Sequence, residues 1–152
     1  MAANYLSIRG NHDRELVTTA PERMGQSDAA AYAQLSKSHL DWLATHPPTM
    51  RIADDILLCH GTPASDLEYL LEDEVGDGVI LSSAEAIARR LDGDPAGLVL
   101  CGHSHIPRVS RSIGRTGATW IVNPGSVGLP AYDFRKRYVE SGDPHARYAI
   151  ID

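Results

Sequence analysis

Short stretches of alternating or uninterrupted hydrophobic residues mark the first part of this chain. Residues 5–8 alternate between apolar and polar side chains and stop at Gly10, which predicts a short strand that runs into a loop. Residues 50–52 and 56–59 flank Asp54-Asp55, a pair that favours a turn between two strands. Because residues 56–59 are all apolar, we expect their strand to be buried on both faces, as in an α/β sheet.

Two other segments have the hydrophobic spacing of helices. Apolar residues between positions 29 and 43 predict a helix that Ser27 or Asp28 can cap and that Pro47-Pro48 ends. Ser82-Ser83-Ala84-Glu85 resembles a capping box, so we expect a second helix that continues to about residue 91.

The second half of the chain is richer in strand-like segments. Residues 97–101 form an apolar run that predicts another core strand, and residues 67–71 are consistent with either a short helix or a lid-like loop. Further β elements are expected at residues 109–113, 119–123 and 148–151. The fold class that follows is α/β, with an α/β region that passes into a largely antiparallel β region.

Length and composition narrow the class of protein. The 152 residues suit one domain, so we expect residues 1–152 to form a single domain. The formal net charge is −6, which argues against a nucleic-acid-binding surface, and no apolar run is long enough for a membrane helix. Cys59 and Cys101 provide no disulfide framework and are expected to be small buried hydrophobic residues. These features predict a cytoplasmic protein.

Three segments share a layout in which a strand-like run precedes a glycine-containing turn that bears His, Asn or Asp. The turns are Gly10-Asn11-His12-Asp13, His60-Gly61 and Gly102-His103-Ser104-His105. Glycine lets the backbone fold sharply, and ligand sites of open α/β sheets collect at the carboxyl ends of the strands. We therefore expect the three turns to meet in one site.

Each side chain in these turns has an ordinary structural explanation when it is taken alone. A single His60 is most often a hydrogen-bonded loop histidine, and Asn11 is a common turn residue. His103 and His105 would point to a common side if their segment were extended, a spacing that recurs in metal sites. The combination favours a metal site, and imidazole ligands with an amide oxygen suit Mn, Fe, Co, Ni or Zn.

The three turns, in this order, resemble the later motifs of the calcineurin-like metallophosphoesterases, especially the small bacterial YfcE-like branch. The family pattern GNH[DE] matches Gly10-Asn11-His12-Asp13, its isolated His matches His60, and its GHxH matches Gly102-His103-Ser104-His105. Asn123-Pro124-Gly125-Ser126-Val127-Gly128 is similar to a segment common in that branch. The resemblance implies a metallophosphatase-like α/β/β/α sandwich and a phosphoesterase that acts on phosphomonoesters or phosphodiesters.

The resemblance also implies roles for individual residues. Asn11, His60 and His103 would bind one metal ion of a pair, and His105 would bind the other. His12 would stabilise the transition state or protonate the leaving oxygen, and Asp13 would orient the His12 ring. Two ions are useful because together they activate a hydroxide and neutralise phosphate oxygens. Arginines could add phosphate contacts, although solvated side chains are the more common explanation for Arg9, Arg14 and Arg135.

This sequence departs from the family pattern ahead of Gly10. The family carries its Asp-x-His and Gly-Asp motifs on an N-terminal strand-helix-strand portion that precedes GNH[DE]. The nine residues before Gly10 contain neither Asp nor His, so the domain is expected to be truncated at its N-terminus. One histidine, His105, cannot hold a divalent ion against water. We expect at most one metal ion per chain and weak or absent phosphoesterase activity from these 152 residues.

Three explanations for this departure remain open. The chain is a shortened form of a complete phosphoesterase, or a non-catalytic metal-binding or interaction module derived from that fold, or a chain whose missing part comes from another chain. In the last case an exposed sheet edge would favour a homo-oligomer. The set of ligand-type residues favours the first explanation, with phosphate esters as the substrate class.

Overall fold

The fold is described from a computed structural model, which covers residues 5–76, 78–114, 117–128, 131–134, 137–140 and 145–151. In this part of the chain the elements are, in order, α1 (Asn11–Thr18), a 3₁₀ turn (Pro21–Arg23), α2 (Gln26–Tyr32), α3 (Lys37–Ala44), β1 (Thr49–Ile52), β2 (Ile56–Cys59), β3 (Glu72–Val75), β4 (Gly78–Leu81), α4 (Ala84–Arg90), β5 (Leu98–Leu100), β6 (Arg108–Gly114), β7 (Gly117–Asn123), β8 (Ala131–Phe134) and β9 (Arg137–Glu140).

A five-stranded sheet in the order β1-β2-β5-β7-β6 organises the fold. The three central strands β2, β5 and β7 are parallel, and an antiparallel strand flanks them at each edge. Such a sheet follows from apolar strands joined by a helical crossover, here α4 between β2 and β5. The predicted α/β class is confirmed, as is the antiparallel pairing towards the C-terminal end of the chain.

One face of this sheet carries the main hydrophobic core. Leu57, Val99 and Ile121 lie side by side on the three parallel strands and are almost fully buried. Ile87 of α4 belongs to the same cluster, and so does Leu71 just before β3. Burial of such side chains contributes roughly 1.5–3 kcal/mol each, so this layer holds the strand ends in place.

The two cysteines behave as the sequence indicated. Cys59 and Cys101 are free and buried within the same core cluster. Burial raises the pKa of the Cys59 thiol to about 12 and raises the pKa of Cys101 as well. Both thiols are therefore protonated and unreactive at neutral pH.

The predictions for the N-terminal segment were partly wrong. Residues 5–8 form no strand, and Tyr5 and Leu6 are exposed, because no described strand offers their backbone a partner. The predicted single helix is two helices, α2 and α3, which begin after Gly25 and Ser36. Ser36 interrupts the helix because its hydroxyl accepts from the His39 backbone N–H, which caps a new first turn.

Three further differences concern β structure. The residues after Leu71 form the hairpin β3–β4, which the sequence reasoning missed because acidic residues fill β3. Residues 148–151 are not a strand, and the side chains of Tyr148 and Ile150 are largely exposed. The β8–β9 pair was likewise not predicted.

Among the described residues no helix has the length and apolar character needed to cross a membrane.

Candidate functional site

The candidate site lies at the carboxyl ends of the parallel strands. His60 follows β2 directly, and the turn with His103 and His105 follows β5. The third parallel strand, β7, ends at Asn123. The Gly102 backbone N–H donates to the His60 carbonyl oxygen at 2.8 Å, which ties the β2 and β5 turns together. Strand order therefore brings together residues that lie far apart in the sequence.

Asn11 and His60 form the closest pair in the site. The Asn11 Oδ1 atom lies 2.8 Å from His60 Nε2. Asn11 is the first residue of α1, a helix that the sequence reasoning did not predict, and Gly10 is the N-cap. A Cβ atom on Gly10 would lie 2.8 Å from the His60 ring, so glycine is needed here for close approach of the helix to the imidazole.

His103 completes a three-residue cluster with this pair. Its ring centroid lies 5.1 Å from that of His60 and 4.9 Å from that of Tyr69. His103 Nε2 lies 3.1 Å from the Leu67 carbonyl oxygen, which can only accept, so Nε2 carries the proton and donates. This tautomer leaves a lone pair on Nδ1, as in metal-binding histidines whose other nitrogen donates to a carbonyl.

His103 and His105 were expected to point to a common side if their segment were extended. The backbone of this turn, which follows β5, is not extended. His103 has φ 63° and His105 has φ 57°, both in the left-handed region. Such conformations cost roughly 1–3 kcal/mol for residues other than glycine and cluster at functional sites. The two imidazoles are thus placed by a strained turn and not by strand alternation.

Burial and mutual repulsion keep the imidazoles neutral. Burial, and next the nearby His103, lower the pKa of His60 to about 4. Burial also lowers the pKa of His103, and the nearby His105 acts in the same direction. His105 is therefore close enough to interact electrostatically with both rings. Neutral imidazole is the form that binds a metal ion.

His12 and Asp13 have contacts that differ from the sequence expectation. The His12 ring is 65% exposed, and its Nδ1 lies 2.6 Å from Asp28 Oδ1. Asp13 instead accepts from the Gly10 backbone N–H at 2.8 Å, since a carboxylate in the first turn satisfies an unpaired N–H of the helix. The carboxylate that contacts the His12 ring is thus that of Asp28, which the sequence reasoning considered only as a helix cap.

Asp66 is a second residue that the sequence reasoning missed. Its carboxylate accepts from Arg14 Nε at 2.6 Å and lies near enough to His60 and His103 to influence both rings. Its place in the turn-forming segment Thr62-Pro63-Ala64-Ser65-Asp66 was the available signal. Arg14 is paired with Asp66 and Glu15, which leaves it poorly suited to bind phosphate. Of the other two phosphate candidates, Arg9 is half-buried, and Arg135 lies outside the described residues.

The cluster fits a divalent transition-metal ion. The amide oxygen of Asn11 and the imidazole of His60 are donor types that such ions accept, and they lie in direct contact at 2.8 Å. His103 adds an imidazole with a free ring nitrogen. In the described ranges no group of three or more His, Cys, Asp or Glu side chains is arranged to hold a metal ion, and the candidate set combines two imidazoles with the amide of Asn11.

Gly10→Ala is expected to weaken metal binding while the fold is retained. The added methyl group would displace the His60 ring from Asn11, so we expect the Kd for Co²⁺ to rise roughly tenfold or more, as when a supporting group is lost. Gly25→Ala is the matched control, because Gly25 is also an N-cap and its Cβ would meet only Asp28 Oδ2, at 3.8 Å. Isothermal titration with Co²⁺ measures the Kd of both variants, and equal affinities would contradict the role of Gly10.

Comparisons with known proteins identify the family. The chain aligns with a metallophosphoesterase structure from Sphaerobacter thermophilus with a TM-score of 0.58 and 21% identity, which indicates a shared fold. The alignment covers 82% of this chain and 57% of the other, so this chain spans little more than half of that protein's length. No curated protein matches the sequence. Residues 1–141 match the family model of the calcineurin-like phosphoesterase superfamily domain, and the chain therefore belongs to that superfamily.

Proposed function

We propose that this chain is a metal-dependent phosphoesterase that hydrolyses phosphate esters at the ends of its parallel strands. The observation that carries the proposal is the cluster of Asn11, His60 and His103, in which an amide oxygen and two neutral imidazoles meet. Membership of the calcineurin-like phosphoesterase superfamily supports it, since that fold is associated with divalent metal ions.

Each member of the cluster has a defined task in this proposal. Asn11 would hold one ion through Oδ1, and His103 would hold it through Nδ1. His60 would hold it through Nε2, which requires that the proton Nε2 donates to Asn11 Oδ1 in the structure moves to Nδ1. When bound, a divalent ion supplies a Lewis acid that neutralises phosphate oxygens and makes water a better nucleophile at neutral pH. Mn, Fe, Co, Ni and Zn are all compatible with these donors.

His12 is proposed to transfer the proton to the leaving oxygen. It is exposed enough to meet a substrate, and its charge influences the pKa of His103, so it lies beside the cluster. Asp28 accepts from Nδ1, so Nε2 must carry the proton that His12 transfers. This arrangement suits general acid catalysis because the proton donor is oriented before the substrate arrives.

A pocket of about 300 Å³ beside His60 is the proposed place for part of the substrate. Its lining includes Thr62, Ser65 and the Arg14–Asp66 pair. Apolar surface, including that of Pro48, Pro63 and Ala64, makes up most of this wall, and its single guanidinium is already paired with Asp66. The pocket therefore suits the organic part of a phosphate ester better than a second phosphate group.

A non-catalytic metal-binding module is the second candidate. The observation that favours it is the ligand count for a second ion, for which the described residues offer His105 without an accompanying group of carboxylates. In that case the chain would bind one ion and hydrolyse nothing. A cytoplasmic location and self-association through a sheet edge stay predictions in both cases.

Metal titration and phosphatase assays separate the two functions. We expect the 152-residue chain to bind one Mn²⁺ or Co²⁺ ion and to hydrolyse p-nitrophenyl phosphate or bis(p-nitrophenyl) phosphate slowly. Measurable turnover that requires the metal and falls in His12→Ala supports the phosphoesterase. One bound ion without turnover supports the binding module. Absence of binding, or two tightly bound ions in an active monomer, would contradict the proposed site.

A further inference from the structure

A buried polar network lies directly beneath the strained turn that carries His103 and His105. Its members are Ser104, which is fully buried, Asn123 at 1% exposure and Glu72 at 2% exposure. The three residues come from the β5 turn, the end of β7 and the start of β3. Polar side chains buried to this degree cost free energy unless their hydrogen bonds are satisfied, so their contacts are informative.

Asn123 holds the turn from the side of the sheet. Its Nδ2 donates to the Gly102 carbonyl oxygen at 2.8 Å and to Ser104 Oγ at 3.0 Å. Its Oδ1 accepts from the Gly125 backbone N–H at 2.9 Å. The two donor bonds span the turn on either side of His103, so they constrain the backbone that sets the direction of that ring.

Glu72 anchors the same turn from the β3–β4 hairpin. The Ser104 hydroxyl donates to the Glu72 carboxylate and accepts from Asn123. Arg108 Nε donates to Glu72 Oε1 at 2.9 Å, so the buried carboxylate has a cationic partner. Burial raises the pKa of Glu72, whereas the bonds from Ser104 and Arg108 lower it, which shows that both partners favour the charged form.

The strained backbone and the hydrogen bonds of the buried network lie in the same turn. His103 and His105 are both left-handed, and Ser104 lies between them. Strained backbone of this kind persists only where the surrounding structure determines it from several directions. The hydroxyl of Ser104 is fixed by one acceptor and one donor, which prevents the turn from relaxing into an extended form.

We infer that Ser104, Asn123 and Glu72 are positioning residues, which hold His103 and His105 in the backbone conformation that directs both imidazoles to the metal site. This inference rests on the proposed function, because its expected effect is on metal affinity and the network itself touches no ligand. It adds to the site Ser104, which is the variable position of the GHxH match, Asn123, and Glu72, which lies outside the motifs. Supporting groups of this type typically change metal affinity roughly 10–100-fold.

Three variants test the network. Ser104→Ala removes the central hydroxyl, and Glu72→Gln removes the charge with little change of shape. Arg108→Gln is milder because Arg108 is partly exposed, and it keeps the test decisive if a buried substitution prevents folding. Ser112→Ala is the matched control. Ser112 is also a buried serine, and its Oγ has no hydrogen-bond partner among the described residues.

The first measurement is made without metal. A strong nuclear Overhauser effect between the amide and α protons of one residue marks a positive φ. We expect this signal at His103 and His105 in the parent protein and in Ser112→Ala, and its loss in the folded network variants. Its absence from the parent protein, or its persistence in every network variant that folds, would overturn the inference.

The second measurement is Co²⁺ affinity by titration. We expect the Kd to rise about 10–100-fold in Ser104→Ala and to stay within twofold of the parent value in Ser112→Ala. A merely structural role would lower the unfolding midpoint and leave the affinity of the folded molecules unchanged, which would also overturn the inference. If the parent protein binds no Co²⁺, the proposed function fails, and the metal-free signal alone decides whether the network positions the turn.

Discussion

Replacement of His60 by alanine is expected to abolish measurable Co²⁺ binding. His60 is the residue that the other parts of the cluster contact, since it meets Asn11 through Nε2, packs near His103 and supports Gly10. Its loss would remove one of the three proposed ligands and also the ring that Asn11 contacts. We expect the Kd to rise by more than the roughly 100-fold that follows the loss of a supporting group.

His46→Ala is the control for His60→Ala and is measured by the same Co²⁺ titration. His46 contacts Trp42 at the end of α3, with ring centroids 4.3 Å apart, and takes no part in the cluster. We expect its substitution to leave Co²⁺ affinity unchanged. Retention of binding by a folded His60→Ala protein would show that the ion, if one binds, binds elsewhere.

Gly61→Ala is expected to lower the free energy of unfolding by about 2–3 kcal/mol, as overpacking of a tight site does. A Cβ atom here would lie 2.4 Å from the Glu68 carbonyl oxygen and 2.6 Å from that of Ser65. Backbone atoms cannot rotate away as a side chain can, so the turn after His60 must move. Thr62 and Ser65 exchange backbone hydrogen bonds within this turn, and these would be disturbed as well.

Urea denaturation checks the Gly61→Ala prediction against Gly114→Ala. A Cβ atom on Gly114, at the end of β6, would meet nothing within 4 Å, so that variant should be as stable as the parent protein within about 0.5 kcal/mol. Equal stability of the two variants would mean that the β2 turn is less tightly packed than the structure indicates.

Hydrophobic patterning predicted the central sheet well. The strands at Ile56–Cys59 and Leu98–Leu100 were expected from their short apolar runs. Burial on both faces was expected for residues 56–59, but only Leu57 and Cys59 are buried, whereas Ile56 and Leu58 are half-buried. The hairpin partner Thr49–Ile52 and the crossover helix Ala84–Arg90 were also predicted. These elements are strongly periodic or sharply bounded, so local information was sufficient for them.

Patterning failed where a neighbour decides the conformation. The alternation at residues 5–8 is compatible with a strand, but a strand also needs hydrogen-bonding partners, and a four-residue pattern does not indicate whether they exist. Asn11–Thr18 became a helix although its opening residues resembled only a turn. The hairpin at Glu72–Val75 was hidden by its carboxylates, of which Glu72 is buried because Arg108 and Ser104 satisfy it.

The sequence by itself determined the chemical types in the candidate site and, for the three histidines, the strand ends at which they occur. His60, His103 and His105 were named from turns that follow apolar runs, since parallel strands place their carboxyl ends at one edge, whereas the strand expected before Asn11 does not form. The tertiary structure alone decided how these groups meet. The 2.8 Å contact of Asn11 with His60 and the Asp28 partner of His12 depend on helices α1 and α2. The network beneath Ser104 joins residues from three distant segments, and no local pattern can encode such pairings because they exist only after the chain has folded.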